Sequence, residues 1–270
     1  MAGKPAAGEM IVVASGKGGV GKTNLALNIG LELARGGLRT VLVDADFGQA
    51  NADILLDLTP THDAADVLDQ ARDPADLLAD GPCGLRVLCG ISGLRHRREV
   101  CELDPARFVR SLVRLRDCCD VLLVDCGVGA GGAAGSFALL ADYLMLVTTP
   151  EPTAVADTYA ALKLLYQRGF CRRSGVVANM VHRVADGLDA VRRLQRVAYR
   201  FLGLYLDNLG TVPFDKRVIE AVHRRKPFTL TRPNCDAART TAALAWRLVA
   251  HRWPRRTSSR SWVGVASLFL

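Results

Sequence analysis

Along this chain, short runs of consecutive apolar residues alternate with stretches whose apolar positions recur every three to four residues. Seven runs read as strands: Met10–Ala14, Thr40–Asp44, Leu85–Cys89, Val121–Asp125, Tyr143–Thr148, Gly175–Met180 and Leu209–Val212. Between them, Lys22–Arg35, Pro105–Asp117, Gly132–Ala141, Pro152–Arg168, Leu188–Leu202, Lys216–Val222 and Asp236–Ala250 carry the helical period. Most strand runs are continuously apolar, as expected of strands covered on both faces. Repeated strand–helix units with short links predict an α/β fold. It is a doubly wound, mostly parallel sheet of about seven or eight strands with helices on both faces. Ligands of such sheets sit beyond the carboxyl ends of the strands.

The turn after the first strand sharpens that expectation. Ser15 to Thr23 reads SGKGGVGKT, between an apolar run and a helical pattern that begins near Asn24. Strand, glycine-rich turn and helix is the setting a phosphate-binding loop requires. Gly16, Lys17, Gly18, Gly19, Val20 and Gly21 would curl their N–H groups around phosphate oxygens, helped by the positive end of the helix. Lys22 would reach the β- and γ-phosphates and the Thr23 hydroxyl would ligate Mg²⁺. Lys17 is a second lysine that the plain phosphate-loop pattern does not ask for.

Composition narrows the class. The chain has 270 residues, half of them hydrophobic, enough for a sizeable core. No run approaches the ~18 apolar residues of a spanning helix, and the N-terminal residues do not read as a signal peptide. A cytoplasmic protein with reduced thiols is therefore expected. The 8 cysteines include no CxxC, and they read mainly as small buried residues. Cys126 is the best metal candidate among them because it follows Asp125. The net charge of +8 rests largely on arginines in the second half, and it leaves a nucleic-acid or acidic-membrane partner open.

Two further strands end in carboxylates. VLVDAD supplies Asp44 and Asp46, and VLLVD supplies Asp125 before the glycine-rich CGVGAGG. Aspartates past strand ends beside a phosphate loop can hold Mg²⁺ or orient the attacking water. The loop after Asp125 is placed to sense a γ-phosphate.

With these residues in view, the chain resembles the MinD/ParA ATPases from about Met10 to Ala250, through the deviant loop GKGGVGKT, DADFGQANAD and LLVDCGVG. Within them it is most similar to the flagellar number regulators of the FlhG (FleN) type, through VDADFGQANADILL, TTPEPTAVADTYAALK, VVANMV and RFLGLYLDNLGTVPFD. The resemblance implies a MinD-like P-loop fold and slow ATP hydrolysis with Mg²⁺ in an ATP-bound homodimer. Lys17 would cross the dimer to the partner's phosphates, and Asp46 would position the hydrolytic water, with Asp44 and Asp125 near the metal. Glu151 would contact nucleotide across the dimer, while Asn179, Pro213 and Phe214 would hold adenine. Asn179 and Pro213 also each follow a strand, which places them on the ligand edge independently. Implied partners are an FlhF-type GTPase, a flagellar transcription activator or a C-ring protein. MinD-type division-site placement and ParA-type DNA partition remain alternatives.

The organisation expected is a short segment 1–9, an ATPase domain 10–251, a basic linker 252–261 and a terminal element 262–270. In the last, Trp262, Val265 and Phe269 line one face of an amphipathic helical pattern preceded by Arg252, Arg255, Arg256 and Arg260. A reversible, peripheral association with the inner face of the cell membrane is expected from it.

Overall fold

The central strand, β1 (Glu9–Ala14), is fully buried and alternates between two cores. Met10, Val12 and Ala14 face one layer of helices, and Ile11 and Val13 face the other. A continuously apolar strand does this because its successive side chains point to opposite faces and both faces are covered. The computed structural model describes residues 7–46, 51–64, 66–68, 72–90, 105–129 and 131–250.

The other strands are β2 (Thr40–Ala45), β3 (Ala79–Asp80), β4 (Arg86–Leu88), β5 (Val121–Cys126), β6 (Tyr143–Thr148), β7 (Arg173–Val181) and β8 (Leu206–Pro213). They form one sheet of eight strands in the order β3-β4-β2-β5-β1-β6-β7-β8. Every pairing is parallel except β3 with β4. The two-residue edge strand β3 has no apolar run, and the sequence gives no sign of it.

One face carries α1 (Lys22–Arg35) and α9 (Asp236–Val249), with Leu25, Leu27, Leu31, Leu244 and Trp246 in its core. The other carries α3 (Pro105–Val113), α4 (Gly132–Leu140), α5 (Pro152–Gln167) and α6 (Val184–Leu202), with Phe137, Leu162, Leu165 and Leu194 in its core. Among the described residues there are also three short helices: α2 (Ala52–Leu56), α7 (Lys216–His223) and α8 (Phe228–Thr231). The stretch predicted as one helix to Asp117 ends its α-helical part at Val113 and finishes as a 3-10 turn, Arg114–Asp117. α6 begins at Val184, four residues earlier than the apolar period suggests.

Register brings the chemistry to one edge. Val13 pairs with Asp125, and Asp44 pairs with Asp125 across β2 and β5. The ends of β1, β2 and β5 therefore present the phosphate loop, Asp44 and Asp125 side by side.

A candidate nucleotide site at the carboxyl edge of the sheet

The loop leaves β1 and enters α1 through Gly21, which sits in the left-handed region at φ 81° and has no side-chain cap. An L side chain is rarely tolerated there. Gly16 is required for a different reason. A Cβ on it would lie 2.0 Å from the Asp157 carbonyl carbon and 2.2 Å from the Thr158 nitrogen. The backbone of α5 thus packs directly against the loop, and Thr158, wholly buried, returns its hydroxyl to the Ala154 carbonyl at 2.7 Å. The glycine loop after β5 docks on the other side, where Gly129 N donates to the Ser15 carbonyl at 3.0 Å.

The two lysines of the loop occupy different environments. Lys22 is buried, and its Nζ donates to Asp125 Oδ1 at 2.6 Å, with Asp46 Oδ2 4.0 Å away. Burial works to depress the Lys22 ammonium, but the Asp125 charge and hydrogen bond outweigh it and hold the group above its ordinary value. Lys17 lies at the surface. Its Nζ donates to Glu151 Oε2 at 2.7 Å and to Thr153 Oγ1 at 3.3 Å. Residues at the start of α5 thus hold Lys17 within the subunit.

The carboxylates also divide their work. Asp44 is wholly buried. Its Oδ1 accepts from Asp46 N at 3.1 Å, and its Oδ2 accepts from Asn51 N at 2.9 Å and Ala52 N at 3.0 Å. With three backbone donors in place, Asp44 anchors the start of α2. Burial, reinforced by the Asp125 charge, pushes its carboxyl up to about 7. Asp46 is nearer solvent, and a side chain at Gly127 would meet its Oδ1 at 3.3 Å.

Two buried side-chain oxygens at this edge lack hydrogen-bond partners, Asp125 Oδ2 and Thr149 Oγ1. Buried polar atoms are ordinarily satisfied. Together with the Thr23 hydroxyl beside Asp125, they fit a site built for a Mg²⁺–phosphate group, since Mg²⁺ takes few protein ligands and completes its shell with phosphate and water. Among the described residues no cluster of three or more His, Cys, Asp or Glu forms a metal site. Cys126 is wholly buried, and burial drives its thiol well above the ordinary value, so the packing role stands.

A cavity of about 280 Å³ adjoins the loop, lined by Gly21, Asn24, Asn179, Pro213 and Phe214 among others. It gathers the three residues assigned to adenine. Asn179 is aimed by a β-bulge: β7 slips register between Ala178 and Val181, and Met180 adopts φ 56°. Bulges beside sites re-aim side chains in this way. The Asn179 amide Nδ2 donates to the Val20 carbonyl at 2.9 Å, which leaves its Oδ1 as the acceptor. Met180, Val212, Asp215, Val218, Ile219 and Phe228 also line the cavity and escaped the sequence reading. The available signal was α7, which starts two residues after Phe214.

Asp157 and Lys163 on α5 are exposed, while Tyr159 packs half-buried against the core, 6.4 Å from Phe201 between ring centroids. Trp262, Val265 and Phe269, the four arginines before them and the linker lie outside the described residues. Among those described, no helix is long and apolar enough to cross a membrane.

A glycine-rich loop with a buried lysine, paired to an aspartate on the next strand and followed by a base-sized cavity, defines a P-loop nucleotide-binding protein. The CobQ/CobB/MinD/ParA nucleotide-binding domain profile matches residues 11–228, and the chain belongs to that MinD/ParA family. Among its relatives is the antiactivator FleN of Pseudomonas aeruginosa, 36% identical over 255 residues, covering 93% of this chain and 89% of the relative. The flagellum site-determining protein YlxH of Helicobacter pylori is 27% identical over 243 residues, covering 90% and 82%. The crystal structure of the cell division ATPase MinD of Pyrococcus furiosus superposes with a TM-score of 0.77 at 26% identity, over 89% of this chain and 98% of that one. The expected family and fold are thus those observed, with FlhG-like proteins among its relatives.

Proposed function

We propose that this protein is an ATP-driven switch: it binds Mg²⁺-ATP at the carboxyl edge of the sheet, pairs with a second copy, and resets by slow hydrolysis. The observation that carries this reading is the unequal placement of the two loop lysines. Lys22, held by Asp125 inside the subunit, would serve the subunit's own phosphates. Lys17, 39% exposed and tied to Glu151, would reach for phosphate on a second subunit. A cation at a surface exchanges one anionic partner for another at modest cost.

Mg²⁺, when bound, would supply positive charge that neutralises the charge developing in the transferred group. Thr23 and Asp125 would hold it, and Asp46 would orient the attacking water. Asp44 keeps α2, and with it the segment carrying Asp46, at the phosphate edge. Asn179, fixed by Val20, offers Oδ1 to the adenine amine, an arrangement that favours adenine over guanine because guanine presents an acceptor at that position.

The biological reading rests on likeness. FleN is an antiactivator and YlxH a flagellum site-determining protein, so control of flagellar number or placement is the assignment supported best. A flagellar transcription activator, an FlhF-type GTPase or a C-ring protein is the expected partner, with nucleic acid less favoured. The segment with Trp262, Val265 and Phe269 is proposed as the membrane contact, engaged when two copies act together. The similarity to a cell division ATPase supports division-site placement as the second reading. Deleting the gene tests both: altered flagellar number with normal division supports the first, and minicells with normal flagella support the second. The biochemical test is turnover. Asp46→Ala should retain ATP and lose hydrolysis, and full hydrolysis by that variant would remove Asp46 from its role.

A further inference from the structure

The cavity wall formed by Phe214 is supported from outside. Phe214 follows β8, its N–H donates to the Val181 carbonyl at 3.0 Å, and the residue is 38% exposed and lines the cavity. The ring of His182 stacks on it with centroids 4.5 Å apart and planes 30° apart. His182 is exposed and does not itself line the cavity. It follows Val181 directly, just past the bulge that aims Asn179 and Met180. The bulge therefore serves two ends. It turns Asn179 onto the loop, and it delivers His182 onto Phe214.

An exposed phenylalanine beside an open cavity has rotamers that swing it into solvent, and losing them on ligand binding has an entropic cost. A stacked imidazole restricts the ring before the ligand arrives. We propose that His182 is a positioning residue for the base pocket, holding Phe214 in place as the wall against which a purine packs. This rests on the nucleotide-binding reading above. His182 lies outside the cavity lining and acts through Phe214, so its contribution belongs to the base and not to the phosphates.

The test compares ATP with inorganic tripolyphosphate, which carries the charge without the base. Titration calorimetry would be run on the parent, His182→Ala and His182→Phe. An aromatic pair of this geometry corresponds to roughly a three- to tenfold change in binding. His182→Ala should weaken ATP by that factor, leave tripolyphosphate unchanged and leave the melting temperature of the nucleotide-free protein unchanged. His182→Phe, which keeps a ring on Phe214, should restore ATP affinity. Equal ATP affinity in the parent and His182→Ala would overturn the proposal, and so would a parallel loss of ATP and tripolyphosphate. A parent protein that binds tripolyphosphate but gains nothing from the adenosine would instead overturn the base-pocket reading beneath it.

Discussion

Replacing Asp125 with Asn isolates the buried ion pair at the heart of the site. The substitution keeps shape and removes charge, leaving the Lys22 ammonium buried without its main counterion. Breaking one side of a buried pair typically costs about 3–5 kcal/mol. Here the structure supplies a partial substitute in Asp46. At an effective dielectric constant of about 20, unit charges attract by about 6 kcal/mol at the 2.6 Å of Asp125 and by about 4 kcal/mol at the 4.0 Å of Asp46. A Lys22 that turns to Asp46 recovers part of the loss, so the expected cost lies between about 2 and 5 kcal/mol. The assay is urea unfolding of the nucleotide-free protein at neutral pH, followed by circular dichroism. Adding Asp46→Asn should move the cost toward the upper figure. Converting the pair together, with Lys22→Met and Asp125→Leu, should cost much less than Asp125→Asn alone, because apolar replacements leave no buried charge. A cost below about 1 kcal/mol for Asp125→Asn would refute the reasoning, as would a double conversion as damaging as the sum of its parts.

Other outcomes follow from the same geometry. Gly16→Ala needs a displacement of more than 1 Å between loop and α5, because its Cβ would stand 2.0 Å from Asp157 backbone; a loss of roughly 1–3 kcal/mol or more, seen in thermal unfolding, and near-complete loss of ATP binding are expected. The Asp44 carboxyl, raised to about 7 when folded, stabilises the fold fully only below its unfolded value near 4. That stability drains as pH climbs toward 7, by up to about 4 kcal/mol relative to Asp44→Asn. Unfolding free energies of the two proteins at pH 5 and 7.5 measure it, and parallel pH profiles would contradict it. Glu151→Gln should release Lys17 and shift ATP-dependent dimerisation to lower protein concentration in analytical ultracentrifugation, by a few-fold. Trp262→Glu with Phe269→Glu should abolish ATP-dependent pelleting with anionic liposomes and leave ATP turnover intact.

Much of this site was legible because its signals are local. The loop sits within nine consecutive residues, and Asp46 and Asp125 each follow an apolar run that could only be a strand end. The parallel sheet was legible because β1, β2, β5 and β6 are continuously apolar. What escaped the sequence depends on distant partners. Lys17 and Glu151 are 134 residues apart, and nothing in either neighbourhood announces their pairing. The donors on Asp44 include the backbone of Asn51 and Ala52, which folds back onto it from seven and eight residues further along. The bulge at Met180 puts a bulky residue at positive φ, which local preference opposes and tertiary packing imposes. The edge strand β3 is too short to carry a period. The second wall of the cavity, from Val218 to Phe228, reads as an ordinary amphipathic helix and turn, because cavity-facing and core-facing apolar residues share one pattern.

ATP held at this site is expected to join two subunits into a dimer. Light scattering coupled to size-exclusion chromatography tests it most directly, on Asp46→Ala with Mg²⁺-ATP, where slow turnover no longer erases the bound state. A dimer with ATP, a monomer with ADP, and a monomer in both when Lys17→Ala is added, with ATP binding retained, are the expected results. The same mass with ATP and ADP, or an ATP dimer that persists without the Lys17 side chain, would contradict them.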